Sequence, residues 1–227
     1  MNEEIAIREK KIAATASLQW VKDGMTVGLG TGSTASHMVE ALGIMVKQGL
    51  KIVGVPSSDA TEALAKTLGI PLTTLEDVKQ LDLTIDGADE FDANFQLIKG
   101  GGGALLREKI LAHNSKLNVI IADSSKQVTR LGKFKLPLET IPFATNSIIS
   151  ELDGLQLKPI LRQNQGKVFT TDEGNYIVDI NVFDVDDLAA LSSRLINIPG
   201  IVETGLFLST TDVILVGKAD KVNILKK

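Results

Sequence analysis

Short apolar runs alternate with segments of helical periodicity between residues 24 and 123, and this alternation restricts the fold more than any other feature. The apolar runs lie at 25–30, 50–56, 81–85 and 117–122, and the helix-like segments lie at 35–47, 60–68 and 104–113. Buried strands that alternate with helices pack as a mostly parallel sheet covered on both faces. We therefore predict an α/β fold with a Rossmann-like sheet. A further helix is predicted before it, over 3–22, with Ile5, Ile12, Ala16 and Trp20 on one face.

Composition supports this fold and excludes several classes of protein. Hydrophobic residues make up 44% of the chain but aromatic residues only 4%, so the core is aliphatic. The chain has no cysteine, which excludes disulfides and thiolate metal sites. Its net charge of −4 is not that of a general nucleic-acid binder. The charged beginning and the absence of a run of 18 apolar residues predict no signal peptide, no membrane partner and a cytoplasmic location.

The pattern changes after residue 131. The segment 134–142, with two prolines, is predicted to be a crossing linker, and 145–154 a helix. Two strands at 167–171 and 175–182 flank Asp172-Glu-Gly174 and indicate a hairpin. A helix near 185–197 and a strand over 201–207 complete a smaller α+β (ferredoxin-like) unit.

The apolar run Asp212–Gly217 resembles the earlier runs, and we expect it to rejoin the first sheet. The predicted catalytic domain therefore combines 1–131 with 206–227. Residues 132–205 are predicted to form a lid and oligomerisation domain.

A glycine-rich loop joins the first predicted strand to a helix, in the sequence Gly28-Leu-Gly-Thr-Gly-Ser-Thr34. Free N–H groups at a helix N-terminus, together with hydroxyl groups, favour phosphate binding by Thr31, Gly32, Ser33 and Thr34. Serine at position 33 replaces the third glycine of a dinucleotide fingerprint, and no Walker A lysine follows. The alternative is a tight turn with ordinary caps.

An acidic segment, Asp86-Gly87-Ala88-Asp89-Glu90, follows a strand. In open α/β sheets this edge faces the ligand crevice. The alternatives are a solvated acidic turn or a Mg²⁺ site, although Lys99 nearby offers a positive charge in place of a metal.

Four consecutive glycines, Gly100 to Gly103, follow Lys99. Because each glycine loses much backbone freedom on folding, four together indicate close approach of the backbone, typically to a ligand. Glu108 lies about one helical turn further on. Taken alone it would be an exposed helix acid paired with Lys109.

Other cations and the histidines carry weaker signals. Lys126 follows the strand at 117–122 and is a candidate phosphate partner or a surface lysine. Lys10 and Lys11 are weaker candidates. The only two histidines, His37 and His113, are predicted to be structural, so we expect no His-based metal site.

Taken together, the motifs resemble ribose-5-phosphate isomerase of type A. Those that carry the resemblance are Gly30-Thr-Gly-Ser-Thr34, Ser57-Ser-Asp59, Asp86-Gly-Ala-Asp-Glu90, Lys99-Gly-Gly-Gly102 with Glu108, Asp123-Ser-Ser-Lys126 and, more loosely, 198–207. Each is weak alone, but their order and spacing over about 5–135 are specific.

The resemblance implies interconversion of D-ribose 5-phosphate and D-ribulose 5-phosphate through an enediol(ate), without metal or cofactor. Glu108 would be the base. Asp86, Asp89 and Lys99 would act in ring opening and on the oxygens at C1 and C2. The substrate would contact Thr31–Thr34, Asp86–Asp89, Lys99, Gly100, Gly101, Gly102 and Lys126. A homodimer, or a homotetramer, is expected, with a role in the pentose phosphate pathway.

Two other functions remain open at this stage. A non-catalytic sugar-phosphate sensor would keep the phosphate loop but would not need Glu108. A nucleotide-dependent enzyme would use Asp59 as a ribose-binding acid, but Ser33 argues against it.

Overall fold

The computed structural model describes residues 3–227. Six α-helices are present in that range: α1 (Glu3–Ser17), α2 (Ser33–Lys47), α3 (Asp59–Leu68), α4 (Leu105–His113), α5 (Thr145–Gly154) and α6 (Leu188–Ile196). The strands are β1 (Thr26–Leu29), β2 (Val53–Pro56), β3 (Leu83–Gly87), β4 (Glu90–Phe91), β5 (Leu97–Ile98), β6 (Asn118–Asp123), β7 (Leu136–Thr140), β8 (Ile160–Leu161), β9 (Gln163–Asn164), β10 (Lys167–Val168), β11 (Tyr176–Ile180), β12 (Ile201–Thr204), β13 (Leu206–Phe207), β14 (Val213–Lys218) and β15 (Lys221–Lys226). Between residues 3 and 227 no helix is both long and apolar enough to cross a membrane.

The chain forms two compact units. The first contains the described residues up to Ala88, Arg107–Gln127 and Ser209–Lys227, and the second contains Asp89–Leu106 and Val128–Leu208. A compact unit and an independent domain are different properties, so the domain division proposed from the sequence stays a prediction.

The first unit is built on a six-stranded sheet in the order β15-β14-β6-β3-β1-β2. Five strands run parallel, and only β15 pairs antiparallel, with β14. Aliphatic side chains of the strands and of α1, α2 and α3 form its core. The predicted mostly parallel α/β fold is confirmed, including the return of the 212–217 run to this sheet beside β6.

The second unit contains a four-stranded antiparallel sheet in the order β12-β7-β11-β8. In chain order these strands and helices read β7-α5-β8-β11-α6-β12, which is the ferredoxin-like arrangement. The short strands β13, β5 and β4 form a separate three-stranded sheet in the same unit.

One prediction in the second unit is wrong. The 134–142 segment is not a linker, because β7 is an inner strand between β12 and β11. Pro137 fits near the start of β7 because the pairing with β12 reaches only to Leu138, so its missing N–H is not needed in that ladder. The expected hairpin turn at Asp172–Gly174 is present, with the Thr171 N–H donating to the Asn175 carbonyl at 2.8 Å, but it has only one bridge, Thr170 to Tyr176, and β10 pairs with β9.

The predicted face of the first helix is only partly confirmed, because Ala16 and Trp20 pack against the core but Ile5 does not. The helix ends at Ser17, a short 3₁₀ turn follows, and Ile5 is 46% exposed. The buried side chains of α1 are Glu9, Ala13, Ala14 and Ser17. The small side chains of Ala13, Ala14 and Ser17 let α1 pack closely on β6 and β14, and a Cβ on Gly217 of β14 would lie 2.0 Å from the Glu9 carbonyl oxygen.

Glu139 on β7 is a buried acid that yields a stability prediction. Its side chain is 1% exposed and accepts hydrogen bonds from Thr171 Oγ1 and Asn175 Nδ2 at 2.9 and 3.0 Å. Burial raises the pKa of the Glu139 carboxyl, and the charges of Glu173 and Asp172 act in the same direction. A carboxyl whose pKa is higher in the folded state than in the unfolded state stabilises the fold fully when the pH lies below the ordinary carboxyl pKa. This stabilisation is lost as the pH rises through the folded-state pKa.

We therefore compare the unfolding free energies of Glu139→Gln and the parent at two pH values. When the pH is raised from about 4 to about 7.5, we expect the difference between them to shift in favour of the variant by about 1 kcal/mol. Thermal or urea unfolding at both pH values measures the difference, with exposed Glu151→Gln as the control. A difference between variant and parent that is identical at both pH values would contradict this account.

Candidate active site

The predicted site residues fall into two groups, one in each compact unit. Thr31–Thr34, Asp86–Ala88, Glu108 and Lys126 belong to the first unit, and Asp89 with Lys99–Gly102 belongs to the second. Each group is described by itself.

Asp86 lies at the end of β3 against the loop that follows β1. Its side chain is 3% exposed, and its Oδ1 accepts hydrogen bonds from the N–H groups of Thr31, at 3.1 Å, and Gly87, at 2.7 Å. A Cβ on Gly30 would lie 2.2 Å from this same Oδ1 and 2.6 Å from the Asp86 Cα. Residue 30 must therefore be glycine for Asp86 to occupy this place, and Asp86 in turn orients the backbone of the loop.

The Thr31 side chain belongs to a cluster of hydroxyl groups rather than projecting into solvent. Its Oγ1 lies 2.7 Å from Ser57 Oγ, 2.8 Å from Ser58 Oγ and 3.2 Å from Thr61 Oγ1. Ser58 is the N-cap of α3, and Thr61 also donates to the Gly30 carbonyl at 2.9 Å. Both polar groups of Thr31 are thus engaged by the protein, so its contribution to the loop is to hold the backbone.

The N-terminus of α2 is open to an anion. Gly32 is the N-cap, with φ 102° and ψ 175°, a region that glycine alone populates readily. Because Gly32 has no side-chain oxygen to cap the helix, the N–H groups of the first turn remain available, beside the exposed Ser33. Lys10 Nζ donates to Ser33 Oγ at 3.0 Å, which adds a cation that sequence reasoning had ranked low.

Lys126 lies in the short 3₁₀ helix Ser124–Lys126 that follows β6. Asp123 caps this turn by accepting a hydrogen bond from the Ser125 N–H at 3.0 Å. Lys126 is partly buried and forms no ion pair with any residue in the range 3–227. Its ammonium group therefore remains available for an anionic ligand.

Glu9 connects both of these lysines to the rest of the first unit, and sequence reasoning missed it. Its carboxylate accepts hydrogen bonds from Ser124 N at 3.0 Å, Ser124 Oγ at 2.7 Å and Ala219 N at 2.8 Å. Glu9 therefore fixes the part of α1 that carries Lys10. It also fixes the turn that ends at Lys126. No sequence motif indicates this role, because the partners are more than a hundred residues away.

Glu108 lies in the first turn of α4 and is 5% exposed. It is therefore not the exposed helix acid that its spacing alone would suggest. The neighbouring Arg107 forms an ion pair with Asp59, at 2.7 Å between Nη1 and Oδ1. Asp59 had been the candidate ribose-binding acid of a nucleotide enzyme, and in the structure its carboxylate pairs with Arg107.

In the second unit, Asp89 and the glycine loop are in direct contact. Asp89 Oδ2 accepts a hydrogen bond from the Gly101 N–H at 2.7 Å, and a Cβ on Gly101 would lie 2.5 Å from Asp89 Oδ1. Lys99 is 3% exposed, and its Nζ lies 5.5 Å from the centre of the Phe207 ring. The contact between Asp89 and the loop is exposed, whereas Lys99, which precedes the loop, is buried.

The protein itself explains three of the four glycines. Gly100 and Gly103 have φ of 98° and 81°, and a Cβ on Gly103 would lie 2.4 Å from the Phe169 ring, whereas Gly101 makes room for Asp89. The expectation that the backbone comes close to something is met by protein groups at these positions.

The remaining acid of the segment has a structural role. Glu90 is 4% exposed, and its two carboxylate oxygens accept hydrogen bonds from the N–H groups of Gly132, at 2.7 Å, and Phe134, at 2.6 Å. No group of three or more His, Asp or Glu side chains within residues 3–227 has the arrangement of a metal site.

Replacing Glu9 tests the anchor of the two lysines. Burial on its own would raise the pKa of the Glu9 carboxyl, but hydrogen bonds from Ser124 and Ala219 and the charge of Lys218 lower it. A carboxyl whose pKa is lower in the folded state than in the unfolded state stabilises the fold when the pH lies above the ordinary carboxyl pKa. This stabilisation is lost as the pH falls through the folded-state pKa. We expect Glu9→Gln to lower the unfolding free energy by about 2 kcal/mol at neutral pH and by less below about pH 4.

Chemical denaturation across this pH range measures the effect, and Glu3→Gln in the exposed first turn of the same helix is the control. A Glu9→Gln variant as stable as the parent at neutral pH would refute the anchoring role.

Comparison with known proteins gives a consistent answer. Residues 53–221 match the family described as Ribose 5-phosphate isomerase A (phosphoriboisomerase A). The chain is 49% identical over 223 residues to Ribose-5-phosphate isomerase A of Listeria monocytogenes serotype 4b (strain F2365), a match that covers 97% of this chain and 100% of the relative.

Solved structures agree with the sequence relatives. The ribose 5-phosphate isomerase A from Methanocaldococcus jannaschii superposes with a TM-score of 0.92 at 39% identity, and each chain is covered to 100%. A D-ribose-5-phosphate isomerase in complex with phospho-erythronic acid gives a TM-score of 0.94 at 39% identity, again with 100% of both chains covered. The resemblance stated from the sequence motifs is confirmed, and the chain belongs to the ribose 5-phosphate isomerase A family.

Proposed function

We propose that this chain interconverts D-ribose 5-phosphate and D-ribulose 5-phosphate. The observation that carries the proposal is the placement of Glu108, a buried carboxyl in the first turn of α4, in a chain of this family. In the open-chain sugar the Glu108 carboxylate takes the proton from C2, which leaves an enediol(ate). The same carboxyl then returns a proton to C1 while the hydroxyl proton on O2 passes to O1, so the aldose becomes the ketose with no net change in atoms.

Lys99, the glycine loop, Asp86 and Asp89 are the groups proposed to act on the oxygen atoms of the substrate. Developing charge on the oxygens at C1 and C2 needs fixed donors, and Lys99 and the glycine-loop N–H groups are of this kind. Asp86 and Asp89 serve in opening the sugar ring, where a proton moves from the C1 hydroxyl to the ring oxygen. The contacts of Asp86 to Thr31 and of Asp89 to Gly101 keep both carboxylates oriented.

The phosphate is held at the N-terminus of α2. The first-turn N–H groups at Gly32, Ser33 and Thr34 provide partial positive charge, and Lys10 and Lys126 provide full charges. Because the phosphate is remote from C1 and C2, its binding energy is used to orient the sugar.

Phospho-erythronic acid, the molecule bound in one related isomerase, suits this assignment. It carries a phosphate and a planar, negatively charged carboxylate, and a phosphorylated enediolate carries a phosphate and a planar, negatively charged O–C=C–O unit. We further propose that the chain works as a homodimer, or as a homotetramer, in the cytoplasm, in the non-oxidative branch of the pentose phosphate pathway. It requires neither a metal nor an organic cofactor.

Incubation with ribose 5-phosphate in D₂O tests the substrate and the proton transfer together. We expect formation of ribulose 5-phosphate with deuterium at C1, in the presence of EDTA, because the base exchanges its proton with solvent while the enediol(ate) is bound. Nuclear magnetic resonance of the sugar resolves both events. Saturable binding of ribose 5-phosphate without ketose formation would instead favour the sugar-phosphate sensor.

Glu108→Gln tests the base. The variant should fold and bind sugar phosphate but lose at least ~10²-fold in turnover, because the amide cannot accept the C2 proton. Calorimetric titration and a coupled assay measure binding and turnover, and Glu62→Gln on α3 is a control for the loss of one carboxylate. Turnover near that of the parent would remove Glu108 from the assigned role.

A further inference from the structure

Arg162 joins the small antiparallel sheet of the second unit to the glycine loop. It lies between β8 and β9, and its side chain is only 14% exposed. Its Nε donates to Asp179 Oδ2 on β11 at 2.8 Å, and its Nη2 donates to Asp179 Oδ1. Its Nη1 donates to two backbone carbonyls, those of Gly100 at 2.9 Å and Gly101 at 3.1 Å. One guanidinium group thus binds one carboxylate and two carbonyls of the loop.

The peptide unit between Gly100 and Gly101 is held at both of its polar ends. Its carbonyl oxygen accepts from Arg162 Nη1 and from the Gly103 N–H, at 3.0 Å. Its N–H, which belongs to Gly101, donates to Asp89 Oδ2 at 2.7 Å. A cation at the carbonyl end polarises the peptide and strengthens hydrogen bonding by its N–H. Arg162 therefore acts on Asp89 through a single peptide unit.

We propose that the ion pair of Arg162 and Asp179 is a positioning device for Asp89 and the glycine loop in the isomerase reaction. This proposal rests on the proposed function, which places Asp89 and Gly100–Gly102 at the substrate. The loop needs such support because glycine backbone is unusually free to move. A displacement of about 1 Å in a group that orients substrate can cost ~10²-fold in rate.

The geometry requires arginine in particular. A guanidinium group presents its N–H donors in a rigid plane, so binding of Asp179 through Nε and Nη2 directs Nη1 towards the loop. A lysine ammonium has no planar set of donors, so it cannot bind Asp179 and also direct a fixed donor towards the loop. The Phe169 ring limits movement further, because it lies 5.9 Å from Arg162 Cζ and also contacts Gly103.

Arg130 provides a matched control in the same unit. Its Nη2 lies 2.9 Å from Asp186 Oδ1, its Nε donates to the Phe183 carbonyl, and its Cζ lies 5.9 Å from the Phe183 ring. It therefore has a carboxylate, a carbonyl and an aromatic partner, as Arg162 does, but its carbonyl is not in the glycine loop. An effect of losing an arginine with such partners would appear in both variants, although the side chains of the Arg130–Asp186 pair are more exposed, at 43% and 93%, than those of the Arg162–Asp179 pair, at 14% and 16%.

The kinetic experiment compares Arg162→Ala, Arg162→Lys and Arg130→Ala with the parent. We expect Arg162→Ala to lower kcat by ~10- to 100-fold while KM changes by less than about threefold, and Arg130→Ala to stay within about twofold in both constants. Guanidinium ion at about 50 mM should restore part of the lost kcat of Arg162→Ala, whereas methylammonium should not, since only a planar fork bridges Asp179 and the loop. Arg162→Lys, which keeps the charge, should recover less than half of the loss and gives the same test if the alanine variant does not fold.

Amide hydrogen exchange at Gly101 gives a second measurement that does not depend on catalysis. We expect exchange at least about tenfold faster in the Arg162 variants and unchanged in Arg130→Ala. Unchanged Gly101 exchange, kcat within twofold of the parent, or an equal loss in Arg130→Ala would each overturn the proposal. An inactive parent would instead refute the proposed function, and Gly101 exchange would then decide alone whether Arg162 holds the loop.

Discussion

The contact between Asp86 and the loop after β1 is the constraint on which the first unit's part of the site depends. The Asp86 carboxylate occupies the space that a side chain at residue 30 would fill, and it accepts the Thr31 N–H. Thr31 is then held by the hydroxyl groups of Ser57, Ser58 and Thr61, so the ends of β1, β2 and β3 are tied together. The N-terminus of α2 emerges from this junction, and its direction follows from these contacts.

Much of the first unit could be predicted from the sequence, because its information is local and periodic. Buried parallel strands are continuous apolar runs, and Ser58 caps α3 as its position suggests. The second unit was predicted less well. Two-residue strands such as β4 and β5 are too short to show a period, and the inner strand β7 contains a proline that ordinarily indicates a linker or an edge. The hairpin signal at Asp172–Gly174 describes a turn correctly but does not determine which strand pairs with which.

The candidate site shows the same division between local and long-range information. Glu108, Asp86, Asp89 and Lys99 were selected by motif, but the groups that orient them were not. Glu9 reaches Ser124 and Ala219, and Arg162 reaches Gly100, across separations of 62 to 210 residues. Such contacts leave no spacing in a single sequence. At three positions of the glycine run the protein's own packing and backbone conformation require glycine, and the sequence alone does not show this.

The order of strands in the large sheet has a consequence for how the chain is made. Strand β14 lies between β6 and β15, and both β14 and β15 come from the last twenty residues. While the chain is being synthesised, β6 therefore has an open edge until the C-terminal segment has left the ribosome. Pairings of such long sequence separation are slow to form, and an unpaired strand edge is prone to associate with other chains. Helix α1 also packs on β6 and β14, so residues 3–17 are fully buried only after residues 213–218 have been synthesised.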